Sequence, residues 1–359
     1  MDNQSAVSKY SVFDDTLRFY NALLSDIENA TKYIYIEIYR FSYHGLGKKF
    51  RDALLKKVHQ GVEVKILLDS WGTSPNHDFF SPLTKGGGEV RFFEKIRLNL
   101  DYFTRSHRRN HRKIIVIDDE ILYLGSANIT DYNVVWRELI VRMEGELASV
   151  FKDIFLSMFE IYNRYHLYSP ELTAPISYGG FNIIRDAPSQ RHQNIKKHLI
   201  KLIRSARKNI FIETPYFLPS FLLRSALIKA ARKGVKVFVI LPKHSDVRLV
   251  DLLRNKYLGP LTEKGIKFFM YIPQNLHSKL LLVDDNTFAF GSPNFDYRSF
   301  SFQHEILLSG HDQRLINLLK DHVNETLQDS EPFDYLRWKR RPYIEKVFEW
   351  LIVPFRQLL

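Results

Sequence analysis

The chain has 359 residues, of which 45% are hydrophobic and 26% are charged, and it contains no cysteine. This composition is typical of a folded globular protein, and it excludes disulfides, zinc–thiolate sites and thiol nucleophiles. Lys and Arg outnumber Asp and Glu by 52 to 40, so the net charge is +12 and we expect an anionic partner, either phospholipid headgroups or nucleic acid. The polar first residues and the lack of an apolar stretch of about 20 residues predict neither a signal peptide nor a transmembrane helix.

A series of helical and strand-like segments occurs twice along the chain. Apolar residues recur at i, i+3 and i+4 in the helical segments, whereas the strand-like segments are short and rich in Val and Ile. The first series spans residues 16–30, 33–39, 47–60, 61–69 and 87–94. The second series spans residues 193–206, 209–217, 221–233, 234–242 and 264–272. Strands that alternate with helices predict an α/β fold, built here as two similar halves.

The halves are divided at residues 168–180, a segment rich in Pro, Gly and Ser that is typical of a linker. We expect the N-terminal half to span residues 1–167, the C-terminal half residues 181–330, and a basic amphipathic tail residues 331–359. Two similar halves predict a pseudo-twofold arrangement with one shared site. Glu37 and Glu213 recur in matching strands, and we expect them to have structural partners.

One motif, H-x-K-x4-D-x6-G-S-x-N, is present in both halves. It reads HRKIIVIDDEILYLGSAN at residues 111–128 and HSKLLLVDDNTFAFGSPN at residues 277–294. A strand sends alternate residues to one face, so the His and Lys of each copy share a face. A two-residue turn after the first strand would then place four groups on one patch of each hairpin. In the first copy these are His111 opposite Asn128 and Lys113 opposite Ser126; in the second they are His277 opposite Asn294 and Lys279 opposite Ser292. Such a cluster fits a phosphate group.

Strand alternation assigns a different place to the acidic motif residues. Asp118 and Asp284 fall on the opposite face from the histidines and about 20 Å away along an extended strand, which indicates a structural role. Glu138 and Glu305 follow the histidine of their own half by 27 and 28 residues. We expect each of these glutamates to bind that imidazole, fix its tautomer and raise its basicity.

The doubled motif resembles that of the phospholipase D superfamily, and the similarity covers most of residues 10–310. Three further stretches resemble bacterial cardiolipin synthases, in a form without N-terminal transmembrane helices: WRELIVRMEG (136–145), IFIETPYFLP (210–219) and SPNFDYRSFSFQHEILL (292–308). The resemblance implies two phospholipase D-like halves, each a mixed β-sheet flanked by helices, with a shared active site. It also implies phosphatidyl transfer through a phosphohistidine, without a cofactor or metal.

The same resemblance implies roles for the motif residues. His111 would be the nucleophile and His277 the general acid and base. Six motif side chains would hold the phosphate: Lys113, Lys279, Asn128, Asn294, Ser126 and Ser292. The two lysines, with Asp118 and Asp284, are also candidates for the catalytic set. Glu138 and Glu305 would support the histidines from behind. Phosphatidylglycerol as donor and acceptor would give cardiolipin and glycerol, whereas water as acceptor would give phosphatidic acid.

Two other functions remain open at this point. One is a phospholipase or a metal-independent nuclease of the same superfamily, which the net charge of +12 favours. The other is a non-catalytic module that binds membrane or nucleic acid, against which the intact His, Lys and Asn residues argue. The basic run RSHRRNHRK (105–113), in a basic and aromatic loop at 95–110, could contact either kind of phosphate.

The tail allows two interpretations. Its apolar residues from Ile344 to Leu359 trace one helical face, which is typical of a helix docked on its own domain or of an interfacial membrane anchor. Four basic residues lie upstream and favour an anionic leaflet: Arg337, Lys339, Arg340 and Arg341. We therefore predict a peripheral protein on the cytoplasmic side of the bacterial cell membrane, in contact with it through the basic patch and the tail.

Overall fold

Short runs of β-branched and aromatic residues form the strands of two mixed sheets in a computed structural model that describes residues 6–93, 108–162 and 170–352. Most of the basic loop predicted at 95–110 and the last seven residues of the tail lie outside the described residues. The first half contributes β1 (Lys9–Asp15), β2 (Tyr33–Ile38), β3 (Glu63–Asp69), β4 (Glu89–Phe93), β5 (Arg109–Asn110), β6 (Ile114–Ile117), β7 (Ile121–Gly125) and β8 (Arg137–Glu144).

The second half contributes the remaining strands of the described chain. These are β9 (Ile176–Tyr178), β10 (Phe181–Asp186), β11 (Asn209–Glu213), β12 (Lys236–Pro242), β13 (Ile266–Tyr271), β14 (Leu280–Val283), β15 (Thr287–Gly291), β16 (Gln303–Gly310) and β17 (Ser330–Pro332). The first sheet has the order β1-β8-β7-β6-β2-β3-β4, and β10-β16-β15-β14-β11-β12-β13 repeats that order in the second. In each sheet three strands are parallel (β2-β3-β4 and β11-β12-β13) and the other neighbours in these two orders are antiparallel, so the predicted pair of similar mixed sheets is confirmed.

Helices cover both sheets, as the predicted alternation requires. Helix α1 begins after Asp15, whose side chain accepts hydrogen bonds from the backbone of Leu17 and Arg18, and its apolar residues face the first sheet. The helices of the described residues are α1 (Thr16–Asn29), α2 (Gly45–His59), α3 (His77–Lys85), α4 (Leu147–Ile161), α5 (Pro170–Thr173), α6 (Asn194–Ser205), α7 (Phe221–Arg232), α8 (Arg248–Thr262), α9 (Tyr297–Phe302), α10 (Gln313–Gln328), α11 (Tyr335–Lys339) and α12 (Tyr343–Ile352). No helix in these ranges is long and apolar enough to cross a membrane.

The two halves share one central core. It contains apolar residues of both sheets, such as Ile114 and Leu124 from the first and Leu280 and Phe290 from the second, together with α4 and α10. Each sheet has a second core on its outer face, formed with α1, α2 and α3 in the first half and with α6, α7 and α8 in the second. The central core fixes the halves relative to each other because neither can bury that face of its sheet alone.

The predicted boundaries differ from those that the strands define. Within the segment predicted as a linker, α5 is helical and β9 pairs with β10, so part of residues 168–180 belongs to the second sheet. Strand β17, at the start of the predicted tail, pairs with β13. Both are three-residue strands at the edges of the second sheet. Because they are so short, their sequences show too little apolar alternation to be recognised as strands.

Each motif forms the predicted hairpin, but its turn is one residue longer than the predicted two-residue turn, so the strand pairing shifts by one residue. Ile114 pairs with Leu124, and Leu280 pairs with Phe290, because three residues lie in each turn. The first two turn residues of each hairpin have φ between 54° and 58°, and all four are Asp: Asp118, Asp119, Asp284 and Asp285. Asp is one of the few non-glycine residues that enter this left-handed region readily.

The motif aspartates tie the hairpin turns to the sheet, away from the histidines. The carboxylate of Asp118 accepts hydrogen bonds from the backbone N–H groups of Thr31, Lys32 and Tyr33, at 2.5, 2.8 and 2.9 Å. The carboxylate of Asp284 accepts the equivalent bonds from the chain entering β11: Arg207, Lys208 and Asn209. These contacts support the structural role that strand parity predicts for Asp118 and Asp284, and their place among the catalytic candidates stays a prediction.

Asp118→Asn should lower the free energy of unfolding by about 1–3 kcal/mol, because an amide replaces the charged acceptor of three backbone N–H groups. Burial opposes ionisation of Asp118, but these hydrogen bonds outweigh it and lower its pKa. The difference in free energy of unfolding between wild type and variant should therefore be complete above the pKa of the unfolded carboxyl, near 3.8. It should vanish as the pH falls through the folded-state pKa. Thermal melting of wild type and variant between pH 7 and pH 3 measures both effects.

The exposed Asp153 of α4 provides the control, and Asp153→Asn should melt as the wild type does at every pH. A normally melting Asp118→Asn protein without activity would contradict the structural role.

Candidate active site

The chain ahead of each H-x-K motif pairs with a strand of the opposite half. Strand β5 runs parallel to the start of β16, and the N–H of His111 donates to the carbonyl of His304 at 3.0 Å. In the same way, the N–H of His277 donates to the carbonyl of Arg137, the first residue of β8, at 2.7 Å. Each catalytic candidate is thus anchored next to the residue that precedes the glutamate of the other half.

Because of these backbone bridges, each histidine is paired with the glutamate of the opposite half. Nδ1 of His111 lies 3.0 Å from Oε1 of Glu305, and Nδ1 of His277 lies 2.8 Å from Oε2 of Glu138. The prediction that each histidine binds the glutamate of its own half is wrong, because the alternation within one strand carries no information about pairing between halves. A carboxylate at Nδ1 favours a proton on that nitrogen and leaves Nε2 as the reactive atom.

The motif serines hold these carboxylates and do not face the phosphate site. Ser126 Oγ donates to Glu138 at 2.5 Å and accepts from the backbone N–H of Leu139 at 2.9 Å. Ser292 donates to Glu305 and accepts from Ile306 in the same manner. Their predicted role as phosphate ligands is therefore corrected. The one-residue change in hairpin register moves each serine out of line with the motif lysine, and its single hydroxyl proton is already used.

The preceding glycines allow this arrangement. A Cβ at Gly125 would overlap the carbonyl oxygen of Leu139, and a Cβ at Gly291 would overlap that of Ile306. The G-S pair therefore lets the second hairpin strand approach β8 or β16 closely enough for the serine to reach the glutamate.

The lysines and asparagines of the motif gather near the histidines. Lys113 Nζ donates to the carbonyl of His111 and Lys279 Nζ to that of His277, each at 2.6 Å. Burial lowers the pKa of Lys113 to about 8 and that of Lys279 to about 7. A bound phosphate would favour the protonated form of both again. Asn128 accepts a hydrogen bond from the backbone of Arg40, which leaves its amide N–H groups as donors.

Both histidines line one cavity of about 210 Å³, together with Asn128 and Asn294. The cavity also contains side chains that the sequence analysis did not assign: Arg40, Trp71, Tyr132, Tyr216, Asp246 and Arg298. A signal for four of them was present in the repeat. Arg40 and Tyr216 follow Glu37 and Glu213 by three residues, and Tyr132 and Arg298 follow the motif histidines by 21. Arg and Tyr thus occupy exchanged positions in the two halves.

The recurring glutamates Glu37 and Glu213 lie behind the motif strands. Glu37 forms a bidentate ion pair with Arg112, at 2.8 and 3.0 Å. Glu213 accepts hydrogen bonds from Ser278 and from Nε2 of His322. All of these groups are buried, which agrees with the structural role expected for the two carboxylates.

The two histidine–glutamate pairs differ in their electrostatic surroundings. Burial opposes ionisation of Glu138, but the charge and hydrogen bond of His277 lower its pKa to about 2. Burial raises the pKa of Glu305 to about 7, and Asp186 and Asp296, also buried, lie close enough to oppose its charge. An ionised Glu138 therefore stabilises a protonated His277.

The surroundings of His111 favour its neutral form. Burial lowers its pKa well below the ordinary value, and the charges of Lys113 and Lys279 act in the same direction. Burial also lowers the pKa of His277, but the charge of Glu138 opposes that shift, so His277 binds a proton more readily than His111.

The repeated sheet, the doubled hairpin motif and the shared pair of histidines define a phospholipase D-like protein. Solved structures show the same fold. The phosphatidylserine synthase of Haemophilus influenzae Rd KW20 has a TM-score of 0.77 at 15% identity over 99% of this chain and 98% of that one. The polyphosphate kinase of Porphyromonas gingivalis has a TM-score of 0.64 at 12% identity, over 98% of this chain and 54% of that one.

Sequence comparison identifies the family. Residues 23–159 and 199–327 match the family described as cardiolipin synthase, PLD-like domain. Cardiolipin synthase 1 of Staphylococcus aureus (strain COL) is 32% identical over 95% of this chain and 72% of its own length. The major cardiolipin synthase of Bacillus subtilis (strain 168) is 30% identical over 90% and 70%. The chain therefore belongs to the cardiolipin synthase family of phospholipase D-like proteins.

Glu138→Gln and Glu305→Gln should affect different histidines. Loss of the Glu138 charge lowers the pKa of His277 further, so the alkaline limb of the pH–rate profile should move to lower pH. The rate at pH 7 should fall at least tenfold and by no more than the roughly 10²–10⁴-fold expected for complete loss of a general acid. Glu305→Gln should slow the reaction through His111 without moving that limb. Initial rates from pH 5 to pH 9 measure the difference.

Ser126→Ala is the matched control, because it removes one hydrogen bond to Glu138 but keeps the charge. Its rate should fall less than that of Glu138→Gln, with the alkaline limb in place. An alkaline limb that moves in Glu305→Gln and stays in Glu138→Gln would contradict the crossed assignment.

Proposed function

We propose that this protein is a phosphatidyltransferase that makes cardiolipin and glycerol from two molecules of phosphatidylglycerol. The observation that carries this proposal is the pair of imidazoles at one cavity, of which His277, beside the ionised Glu138, binds a proton more readily than His111. A neutral His111 is suited to attack phosphorus, and a protonated His277 is suited to protonate a leaving alcohol.

The reaction then follows in two displacements. Nε2 of His111 attacks the phosphorus of the first phosphatidylglycerol, the bond to the glycerol oxygen breaks, and His277 gives its proton to that oxygen. The product is a phosphatidyl-histidine and free glycerol. His277, now neutral, takes the proton from a glycerol hydroxyl of a second phosphatidylglycerol, and that oxygen displaces His111 from phosphorus. Cardiolipin is released with both histidines in their starting states.

The charge of the cavity supports the same steps. The non-bridging oxygens gain negative charge as the phosphorus becomes five-coordinate, and Lys113 and Lys279 with the amides of Asn128 and Asn294 can stabilise it. These four side chains keep the phosphate-binding role expected of them, as part of the proposal.

The exposed side chains at the cavity favour a lipid over a nucleic acid. Trp71 and Tyr132 line the cavity and are 38% and 48% exposed, and the 40% exposed Leu249 lies between the cavity residues Val247 and Val250. The cavity is smaller than the roughly 300–1,000 Å³ that holds a drug-sized ligand, so it suits a headgroup whose acyl chains remain outside against these apolar side chains. The nuclease alternative has no comparable support.

The purified protein should convert labelled phosphatidylglycerol in vesicles to cardiolipin in the presence of EDTA, and His111→Ala and His277→Ala should each retain less than a tenth of that rate. The loss follows because one variant lacks the nucleophile and the other the general acid. With a good leaving alcohol, His277→Ala should accumulate a phosphatidyl-histidine that mass spectrometry assigns to His111.

The exposed His59 of α2 serves as the control, since His59→Ala leaves both imidazoles of the cavity in place. Phosphatidic acid as the sole product would indicate a hydrolase. Cleavage of oligonucleotides without conversion of lipid would replace the proposal by the nuclease alternative.

The tail supports a peripheral contact with the cytoplasmic face of the membrane. It is docked on its own half: Trp338 donates to the carbonyl of Asn255 in α8, and the buried Glu349 pairs with Arg341. Helix α12, which contains Glu349, turns Tyr343, Ile344 and Leu351 outward, and these side chains are 80, 60 and 51% exposed. An outward apolar face beside the exposed Arg337, Lys339 and Arg340 fits an anionic bilayer surface. Both interpretations of the tail are thereby combined.

The variant Ile344→Asp/Leu351→Asp should lose most of its sedimentation with vesicles that contain phosphatidylglycerol, because two charges replace apolar side chains that would enter the interface. Its melting temperature should stay unchanged, since both side chains face outward. The control is Leu318→Asp, at an apolar residue that is 36% exposed on α10. Full vesicle binding by the double variant would place the membrane contact elsewhere.

A further inference from the structure

The walls of the cavity differ between its two histidines. Beside His111, the ring of Tyr39 lies 5.2 Å from the imidazole, and the loop after β3 adds Trp71. Near His277, the loop after β12, the equivalent strand, adds the carboxylate of Asp246. Both histidines have an aromatic neighbour, since the ring of Trp136 lies 5.3 Å from the imidazole of His277, but the cavity wall near His277 also carries the carboxylate of Asp246.

Asp246 is held in place by neighbours. Oδ1 accepts a hydrogen bond from the hydroxyl of Tyr216 at 2.7 Å and a longer one from the side-chain amide of Asn275 at 3.4 Å. Tyr216 lines the same cavity. Within the described chain both bonds reach Oδ1, so Oδ2 keeps its full capacity to accept hydrogen bonds.

A carboxylate is an unexpected neighbour for a phosphate site. Its charge repels the anionic substrate, whereas Arg40 and Arg298 of the same cavity attract it. Asp296 also lines the cavity, but burial raises its pKa to about 6. Burial lowers the pKa of His277, and the charges of Glu138 and Asp246 both oppose that shift. Glu138 already supplies this effect through direct contact, so a second carboxylate on the cavity wall has another use. Among the residues that the structure describes, Asp246 forms no ion pair, and such a carboxylate can accept hydrogen bonds from a substrate. The headgroup of phosphatidylglycerol carries two hydroxyls.

We propose that Asp246 binds a hydroxyl of the glycerol headgroup and thereby selects a polyol as the alcohol that reacts at His277. This inference rests on the proposed function and deepens it. When one hydroxyl donates to Asp246, the neighbouring hydroxyl of the same glycerol is directed towards His277, which takes its proton. A monohydric alcohol or water lacks the second donor and gains nothing from the carboxylate. Tyr216 acts as a positioning residue that orients Asp246.

The test measures selectivity between two free acceptors of equal carbon number. The full-length protein is incubated with phosphatidylglycerol vesicles and either labelled glycerol or labelled 1-propanol, and the rates of label transfer into lipid are compared. Asp246→Asn should lower the glycerol-to-propanol ratio at least tenfold, since a site that binds a hydroxyl through a charged acceptor discriminates strongly against an analogue without it. Tyr216→Phe should lower the ratio by a smaller factor. His244→Ala, at an exposed position of the same loop, should keep it.

The outcomes separate the two proposals. If the wild type makes no cardiolipin, the proposed function fails. If the wild type makes cardiolipin and Asp246→Asn keeps the wild-type ratio, or loses both transfers equally, Asp246 does not select the acceptor and the inference alone fails. A wild type that prefers ethanolamine to glycerol would also overturn it, because the carboxylate would then bind an ammonium group. Should Asp246→Asn fail to fold, the ratio of Tyr216→Phe decides.

Discussion

The site depends on two short backbone bridges between the halves. The N–H of each motif histidine is bound to the carbonyl that precedes the glutamate of the other half, and this single constraint brings a proton-holding carboxylate to each imidazole. The serines hold the glutamates, the glycines allow the strands to approach closely, and the aspartates of the hairpin turns bind the backbone of their sheet. Since neither half contains a complete histidine–glutamate pair, the central core that joins the sheets is also a condition for the chemistry.

Much of this arrangement could be predicted because its patterns lie within short segments of the sequence and occur in both halves. The strands and helices follow from apolar periodicity, and the hairpins follow from alternation around an acidic turn. The spacing of two residues between histidine and lysine predicts that both side chains of each motif share a direction. The structural role of Asp118 could be deduced in the same way, from its position on the other face.

The parts that could not be predicted depend on contacts between distant segments. Whether Glu138 meets His111 or His277 is decided by pairing between the halves, which leaves no trace in either local pattern. Ser126 could not be placed without the position of β8, since a one-residue change of register separates the lysine from the serine. Asp246 has no counterpart at the equivalent loop of the first half, so comparison of the repeats did not single it out.

The exchanged Arg and Tyr positions have a consequence for the direction of the reaction. Two identical halves would hold both imidazoles at one proton affinity, and either could begin as nucleophile or as acid. Arg40 occupies the repeat position of Tyr216, Tyr132 occupies that of Arg298, and the buried Asp186 and Asp296 lie near Glu305, so the surroundings of the two imidazoles differ. The pseudo-twofold scaffold thus supplies two matched positions for imidazoles, and in the proposed mechanism the departures from its symmetry determine which histidine begins as the nucleophile.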